Sequence, residues 1–175
     1  HQLTRRQRQM CIRDSMMSGH ISVPLYPNLN SKTLKNILEH SETKLLFVGK
    51  LDNYEQMKNG VNEDIKCISY PFYTEDYPMW DDLVKDITPI DGNPVRDPKE
   101  LATIIYTSGT TGEPKGVMHK FFNLSFATTN AVKTLNLSTE VFFSYLPICH
   151  IAERLLVEMG SLYTGGRVYF AESID

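Results

Sequence analysis

From Met16 onward, short apolar runs alternate with stretches in which apolar residues recur every three or four positions, the pattern of strands exchanging with amphipathic helices. Ile21-Ser22-Val23-Pro24-Leu25 reads as a short strand before a Pro-Asn turn. Ser31 is a suitable N-cap for a helix over Lys32–His40, which places Leu34, Ile37 and Leu38 on one face. Lys44–Val48 then reads as a buried strand ending at Gly49, Asp52–Asn59 as a helix, Ile65–Ser69 as a further strand and Asp81–Asp86 as a short helix. Residues 70–80, YPFYTEDYPMW, are aromatic and punctuated by proline, which predicts an ordered surface loop. Residues 88–98, TPIDGNPVRDP, hold three prolines and a glycine and mark the best internal boundary. Beyond it the pattern predicts a strand at Ala102–Tyr106, a polar glycine-rich loop, a helix over Asn123–Leu135, a strand at Val141–Leu146 and a helix over Ile151–Tyr163. Gly165-Gly166 then turns the chain into a last strand, Arg167–Phe170. This alternation implies an α/β fold of largely parallel sheets flanked by helices. A final strand with nothing to cover its far side predicts a piece of a longer chain.

Composition narrows the classes without naming a function. With 175 residues, 41% hydrophobic and 22% charged, the chain is ordinary for a globular domain with one sizeable core. A net charge of −3 disfavours nucleic acid as a partner. Cys11, Cys67 and Cys149 are widely spaced with no C-x-x-C, so neither a zinc site nor a disulfide framework is written, no metal ligand set is expected, and a reducing compartment fits. No apolar run approaches a membrane span or the middle of a secretion signal, which points to the cytoplasm. Residues 1–15, HQLTRRQRQMCIRDS, carry a net charge of +3 against −6 on the rest, and show neither helical stripe nor strand alternation. They resemble translated adapter or vector read-through, and the reading treats them as non-native, with 16–175 as the domain.

The densest chemistry lies in Tyr106-Thr107-Ser108-Gly109-Thr110-Thr111-Gly112-Glu113-Pro114-Lys115-Gly116-Val117. Glycines let backbone N–H groups converge on an anion, hydroxyls add short donors, and Lys115 offers a mobile positive charge to outer phosphates. Pro114 stands where a Walker A loop needs its second glycine, so this is a different phosphate cradle. The bland alternative is a solvated Ser/Thr/Gly surface loop, which the placement of twelve such residues directly after an apolar strand disfavours.

That segment resembles the signature phosphate loop of the AMP-forming adenylating enzymes: acyl-CoA synthetases, luciferases and the adenylation domains of peptide synthetases. Ser144-Tyr145-Leu146-Pro147-Ile148-Cys149-His150-Ile151-Ala152-Glu153-Arg154 resembles the corresponding stretch of the long-chain fatty acyl-CoA synthetases, as do Gly19–Pro27 and Ile37–Ser41. The resemblance runs from about Met16 to Asp175. It departs at Met118-His119-Lys120-Phe121-Phe122-Asn123, so no role is carried onto His119.

What the resemblance implies is a fragment of the large N-terminal domain of an acyl-adenylate-forming enzyme, with the mobile C-terminal domain absent. Thr107, Ser108, Gly109, Thr110, Thr111, Gly112 and Lys115 would bind the phosphates of ATP, and His150 would lie beside the acyl carboxylate and adenylate. A fatty acid, ATP and coenzyme A are then the substrates. Magnesium is required, its ligand lying outside this chain. Peripheral membrane contact stays open for the parent. Glu153 and Arg154, in the first turn of a helix, are the kind of residue that caps, pairs or faces solvent, while Ile151, Leu155 and Met159 at helical spacing belong to a core. The rival readings are an adenylating enzyme for another carboxylate, a non-catalytic nucleotide-binding module and, more weakly, a hydrolase using Cys149 and His150. Residues adjacent on a strand end point apart, which disfavours the last.

Overall fold

The computed structural model describes residues 2–49, 51, 53–70, 76–89, 91–92, 94–107 and 113–171, with the side chains of 2–8 left out. The chain divides into two compact units. One comprises residues 1–25, 94–107 and 116–175, the other residues 26–93 and 108–115.

The second unit is built on helix α2 (Ser31–His40), whose buried residues are Leu34, Ile37 and Leu38. Its N-cap is Asn30, not the expected Ser31: the Asn30 side chain accepts the Thr33 N–H at 2.8 Å. Asn and Ser cap about equally well, so sequence alone does not separate neighbours. Strands β1 (Leu45–Val48) and β2 (Lys66–Ser69) pair in parallel, Leu45 opposite Lys66 through Val48 opposite Ser69. The helix expected over Asp52–Asn59 is shorter, α3 (Tyr54–Met57) running into a 3₁₀ turn at Lys58–Gly60. Phe47 stacks on Tyr70 with centroids 5.7 Å apart and meets Trp80 edge-on at 5.5 Å. Trp80 itself opens helix α4 (Trp80–Val84), so the aromatic stretch contributes to structure on both sides of 71–75, which lie outside the described residues.

The first unit begins with helix α1 (Gln2–Met17), in a segment whose sequence shows no obvious stripe. Ile12 and Met16, one turn apart, pack with Ala102, Leu124, Phe121, Leu155 and Met159, so tertiary burial supplies what local pattern does not. The strand expected at Ile21–Leu25 is reduced to one parallel bridge, Ser22 to Thr103. Thr103 Oγ1 donates to the Ser22 carbonyl at 2.7 Å, and Pro24, which has no N–H, cannot extend the ladder. Strand β3 (Leu101–Thr107) pairs with β4 (Lys115–Lys120), a strand where the sequence pattern predicts loop. Their seven-residue connection is too short for a parallel crossover, so the pair is a hairpin.

Helix α5 (Phe121–Thr134) starts where the Asn123 side chain accepts the Lys120 N–H at 3.1 Å. Strands β5 (Val141–Ser144) and β6 (Arg167–Phe170) pair in parallel, Val141 opposite Arg167 through Ser144 opposite Phe170. Phe142 and Ser144 turn inward, while Val141, Phe143 and Tyr169 are exposed. Between these strands the helix expected over Ile151–Tyr163 is present but changes pitch: Glu153–Met159 is π-helical, then α6 (Gly160–Thr164) closes on Gly165. Gly165 takes φ 68°, a left-handed cap that glycine adopts without steric cost.

Candidate functional site

Strand β3 carries the candidate site from a buried base to an exposed tip. Ile105 and Tyr106 are buried and Thr107, its last residue, is exposed. Ser108, Gly109, Thr110, Thr111 and Gly112 lie outside the described residues. The chain resumes at Glu113, which accepts a hydrogen bond from Asn36 Nδ2 of α2 at 3.2 Å. Lys115 then opens β4 with its side chain exposed, and no carboxylate among the described residues forms an ion pair with it. At Gly116 a side chain is excluded by close approach: a Cβ would stand 2.9 Å from Ile104 Cγ2 and 3.2 Å from Tyr106 Cζ. Glycine here lets β4 lie tightly against β3 directly after the lysine.

His150 sits in the turn between β5 and the following helix. Its N–H donates to the Pro147 carbonyl at 2.8 Å and its carbonyl accepts the Arg154 N–H at 3.2 Å. The Ala152 N–H donates to His150 Nδ1 at 3.2 Å, so the neutral ring carries its proton on Nε2. The exposed imidazole held this way offers Nε2–H as a hydrogen-bond donor. Neighbouring Cys149 is 2% exposed, so thiol and ring face different environments and the Cys/His nucleophile loses its geometry.

Beneath that turn the structure gathers charged groups, among them Glu153 and Arg154, whose sequence position predicts capping, pairing or solvent. Glu153, Arg154 and Glu158 are 1%, 0% and 2% exposed. Ser144 Oγ, at the end of β5, donates to Glu153 Oε1. Arg154 Nε lies 3.1 Å from Glu158 Oε2, and Arg154 Nη2 donates to Met16 Sδ at 3.3 Å. Arg13 Nε stands 3.9 Å from Glu158 Oε1. Of the expected outcomes, pairing is realised by Arg154, with Glu158 and in the interior, while Glu153 accepts the Ser144 hydroxyl. The π-helical ladder favours this arrangement: with hydrogen bonds running from i to i+5, Glu153 and Glu158 turn toward the same side, and Arg154 meets Glu158 four residues on. Burial raises the pKa of Glu158 despite the opposing charge of Arg154, and lowers that of Arg154. On β4, burial and then the charge of Arg154 lower the pKa of half-buried His119. The signal that could have located this cluster is the five-residue Glu153–Glu158 spacing inside an otherwise apolar helix face.

Residues 15–175 match the AMP-binding enzyme family. The chain belongs to that family. Among curated relatives it is 30% identical over 168 residues to long chain acyl-CoA synthetase 4 of Arabidopsis thaliana, covering 80% of this chain and 24% of that one. It is 32% identical over 173 residues to fatty acyl-CoA synthetase A of Dictyostelium discoideum, covering 89% of this chain and 26% of that one. The chain therefore spans about a quarter of the length of these relatives. A putative long-chain-fatty-acid CoA ligase from Rhodopseudomonas palustris superposes with a TM-score of 0.78 at 21% identity, over 95% of this chain and 42% of that one. ATP-bound MatB from the same species superposes with a TM-score of 0.77 at 20% identity, over 96% of this chain and 33% of that one. These likenesses establish the fold as that of an AMP-binding enzyme: an α/β arrangement in which the glycine-rich segment joins β3 to β4. No helix among the described residues is long and apolar enough to cross a membrane.

Proposed function

We propose that this segment is the phosphate-binding part of an AMP-forming long-chain fatty acid–CoA ligase, in which a fatty carboxylate attacks the α-phosphorus of ATP. Pyrophosphate leaves, and the thiol of coenzyme A then displaces AMP from the acyl-adenylate to give the thioester. The carrying observation is the twelve-residue Tyr106–Val117 segment, which runs from the end of β3 into β4, in a chain similar to long-chain acyl-CoA synthetases. In-line displacement asks for positioning and for neutralisation of departing charge more than for covalent help from the protein. Thr107, Ser108, Gly109, Thr110, Thr111 and Gly112 supply hydroxyl and backbone donors to the phosphates, and Lys115 supplies the charge. His150, with its proton on Nε2, donates to the carboxylate or to the adenylate formed from it. Magnesium, when bound, would supply positive charge at the leaving pyrophosphate, and none of these residues is assigned to hold it. The exposure of Lys115 and the absence of an ion pair among the described residues support its role, since an engaged lysine would have to break a contact to reach phosphate. The enzyme is cytoplasmic in this proposal and meets fatty acid at a membrane surface by peripheral contact.

The test is fatty-acid-dependent exchange of labelled pyrophosphate into ATP by the full-length protein. Exchange that needs a long-chain fatty acid is the expected result. Nucleotide binding without exchange would leave a binding module, and exchange driven by another carboxylate would leave the chemistry and correct the substrate. The 175-residue chain alone is expected to yield neither AMP nor acyl-CoA from ATP, magnesium, fatty acid and coenzyme A, because one phosphate loop is only part of the transition-state constellation.

A further inference from the structure

We infer that Glu153 is a positioning residue for His150, acting through its buried hydrogen bond from Ser144. The inference rests on the role proposed for His150. Ser144 and Glu153 mark the two ends of the segment in which His150 is held: Ser144 is the last residue of β5, and Glu153 the first of the π-helical stretch. Both are 1% exposed, so the hydroxyl-to-carboxylate bond between them ties the base of the turn where water does not compete.

The tie acts on His150 through the backbone. The N–H groups that hold His150 belong to Ala152 and Arg154, the residues on either side of Glu153. Ala152 N–H fixes the ring through Nδ1, and Arg154 N–H fixes the His150 carbonyl. Moving the Cα of Glu153 therefore moves both donors together. The Arg154–Glu158 pair adds a second anchor one turn on, and Arg154 reaches Met16 in the unit's core cluster. A carboxylate buried at 1% exposure is costly to place, and a helix start that needed only a cap would use an exposed one. What burial provides is a fixed distance between strand end and helix start, and the ring that depends on this distance is the exposed His150.

The experiment uses the full-length protein, unmodified and as Glu153→Leu, Glu153→Gln and Ser144→Ala variants, with two readouts. The first is the ring-nitrogen tautomer signature of His150 by NMR without any nucleotide, assigned by its loss in His150→Gln. The second is kcat and KM for ATP in the adenylation half-reaction. Glu153→Leu and Ser144→Ala are expected to convert a single Nε2–H tautomer into a mixture. They should also lower kcat roughly ten- to a hundredfold with KM for ATP near its starting value. Glu153→Gln, which keeps an acceptor for Ser144, should restore both. An unchanged tautomer signature in folded Glu153→Leu overturns the inference. Should that variant not fold, the same reading is taken from Ser144→Ala, where an unchanged signature overturns it equally. If the parent shows no adenylation, the proposed function fails while the tautomer readout still decides whether Glu153 positions the ring.

Discussion

Two strand ends in the first unit carry polar residues and treat them in opposite ways. β3 leaves a buried Tyr106 for an exposed Thr107, and Lys115, the first residue of β4, is exposed as well. β5 ends on Ser144 at 1% exposure, and the polar residues that follow the next turn, Glu153, Arg154 and Glu158, run inward. The first end is legible by residue type, because an exposed threonine and an exposed lysine keep the chemistry their side chains advertise. The second is not. Glu and Arg on a helix ordinarily signal a solvated face, and only the pitch of a π-helix turns three of them to one interior side.

Breaking the buried end should have the largest effect. Arg154→Met leaves the Glu158 carboxylate in the interior without its nearest cation and should destabilise the fold by about 3 to 5 kcal/mol. Glu158→Leu added to it should recover most of that loss, since a buried pair replaced by apolar groups is often neutral or better. Guanidinium denaturation midpoints of the single and double variants give the answer. A loss near zero for Arg154→Met would mean that water or another group satisfies the site, and the contrast between the two strand ends would disappear.

The same contrast explains how much of the fold the sequence shows. Leu34, Ile37 and Leu38 recur at helical spacing and mark α2 correctly, and Arg167–Phe170 is bounded by a glycine pair, so β6 is found with its limits. β4 escapes because Lys115–Lys120 presents exposed Lys, Val, Met and Lys positions with little apolar alternation; its strand state comes from pairing with β3 and from the close approach at Gly116. α1 escapes because its burial depends on partners more than eighty residues away in sequence. At the candidate site, Thr107, Lys115 and His150 are legible as residue types in a familiar order. Ser144 and Glu158 are not, because their importance is a matter of who lies opposite them.

Striking the exposed end should alter chemistry and leave stability alone. Lys115→Ala in the full-length protein should raise the ATP requirement and slow adenylation. The charge-assisted contact it removes is worth about 1.5 to 3 kcal/mol, about ten- to a hundredfold in kcat/KM. Its unfolding midpoint should stay within about 0.5 kcal/mol of the parent, as for an ordinary surface position. Unchanged kinetics would reject the phosphate role. One residue on, the expectation reverses: Gly116→Ala forces a Cβ against Ile104 and Tyr106 and should cost about 1 to 2 kcal/mol of stability through overpacking. An alanine accepted at no cost would show that β4 has room to move away from β3.

The smallest expected effect is carried by pH and joins the two ends. His119 lies on β4, four residues past Lys115, and its pKa is held below the ordinary 6.5 first by burial and then by the charge of Arg154. The unfolded chain then binds a proton more readily than the folded one. His119 therefore contributes stability that is present above pH 6.5 and lost as pH falls through its lowered folded value. Glu158 has the opposite sign. Raised above its ordinary 4.5 by burial, it contributes stability that is present below that pH and lost as pH rises through its folded value. Acidification thus loosens the unit through the strand and tightens it through the π-helix. His119→Gln should remove the first term alone, so its unfolding midpoint relative to the parent should improve on going from about pH 7.5 to about pH 5.5. Parallel curves for variant and parent would mean that His119 titrates alike folded and unfolded, and that the buried guanidinium beneath the β5 turn does not act on the strand that follows the glycine-rich segment.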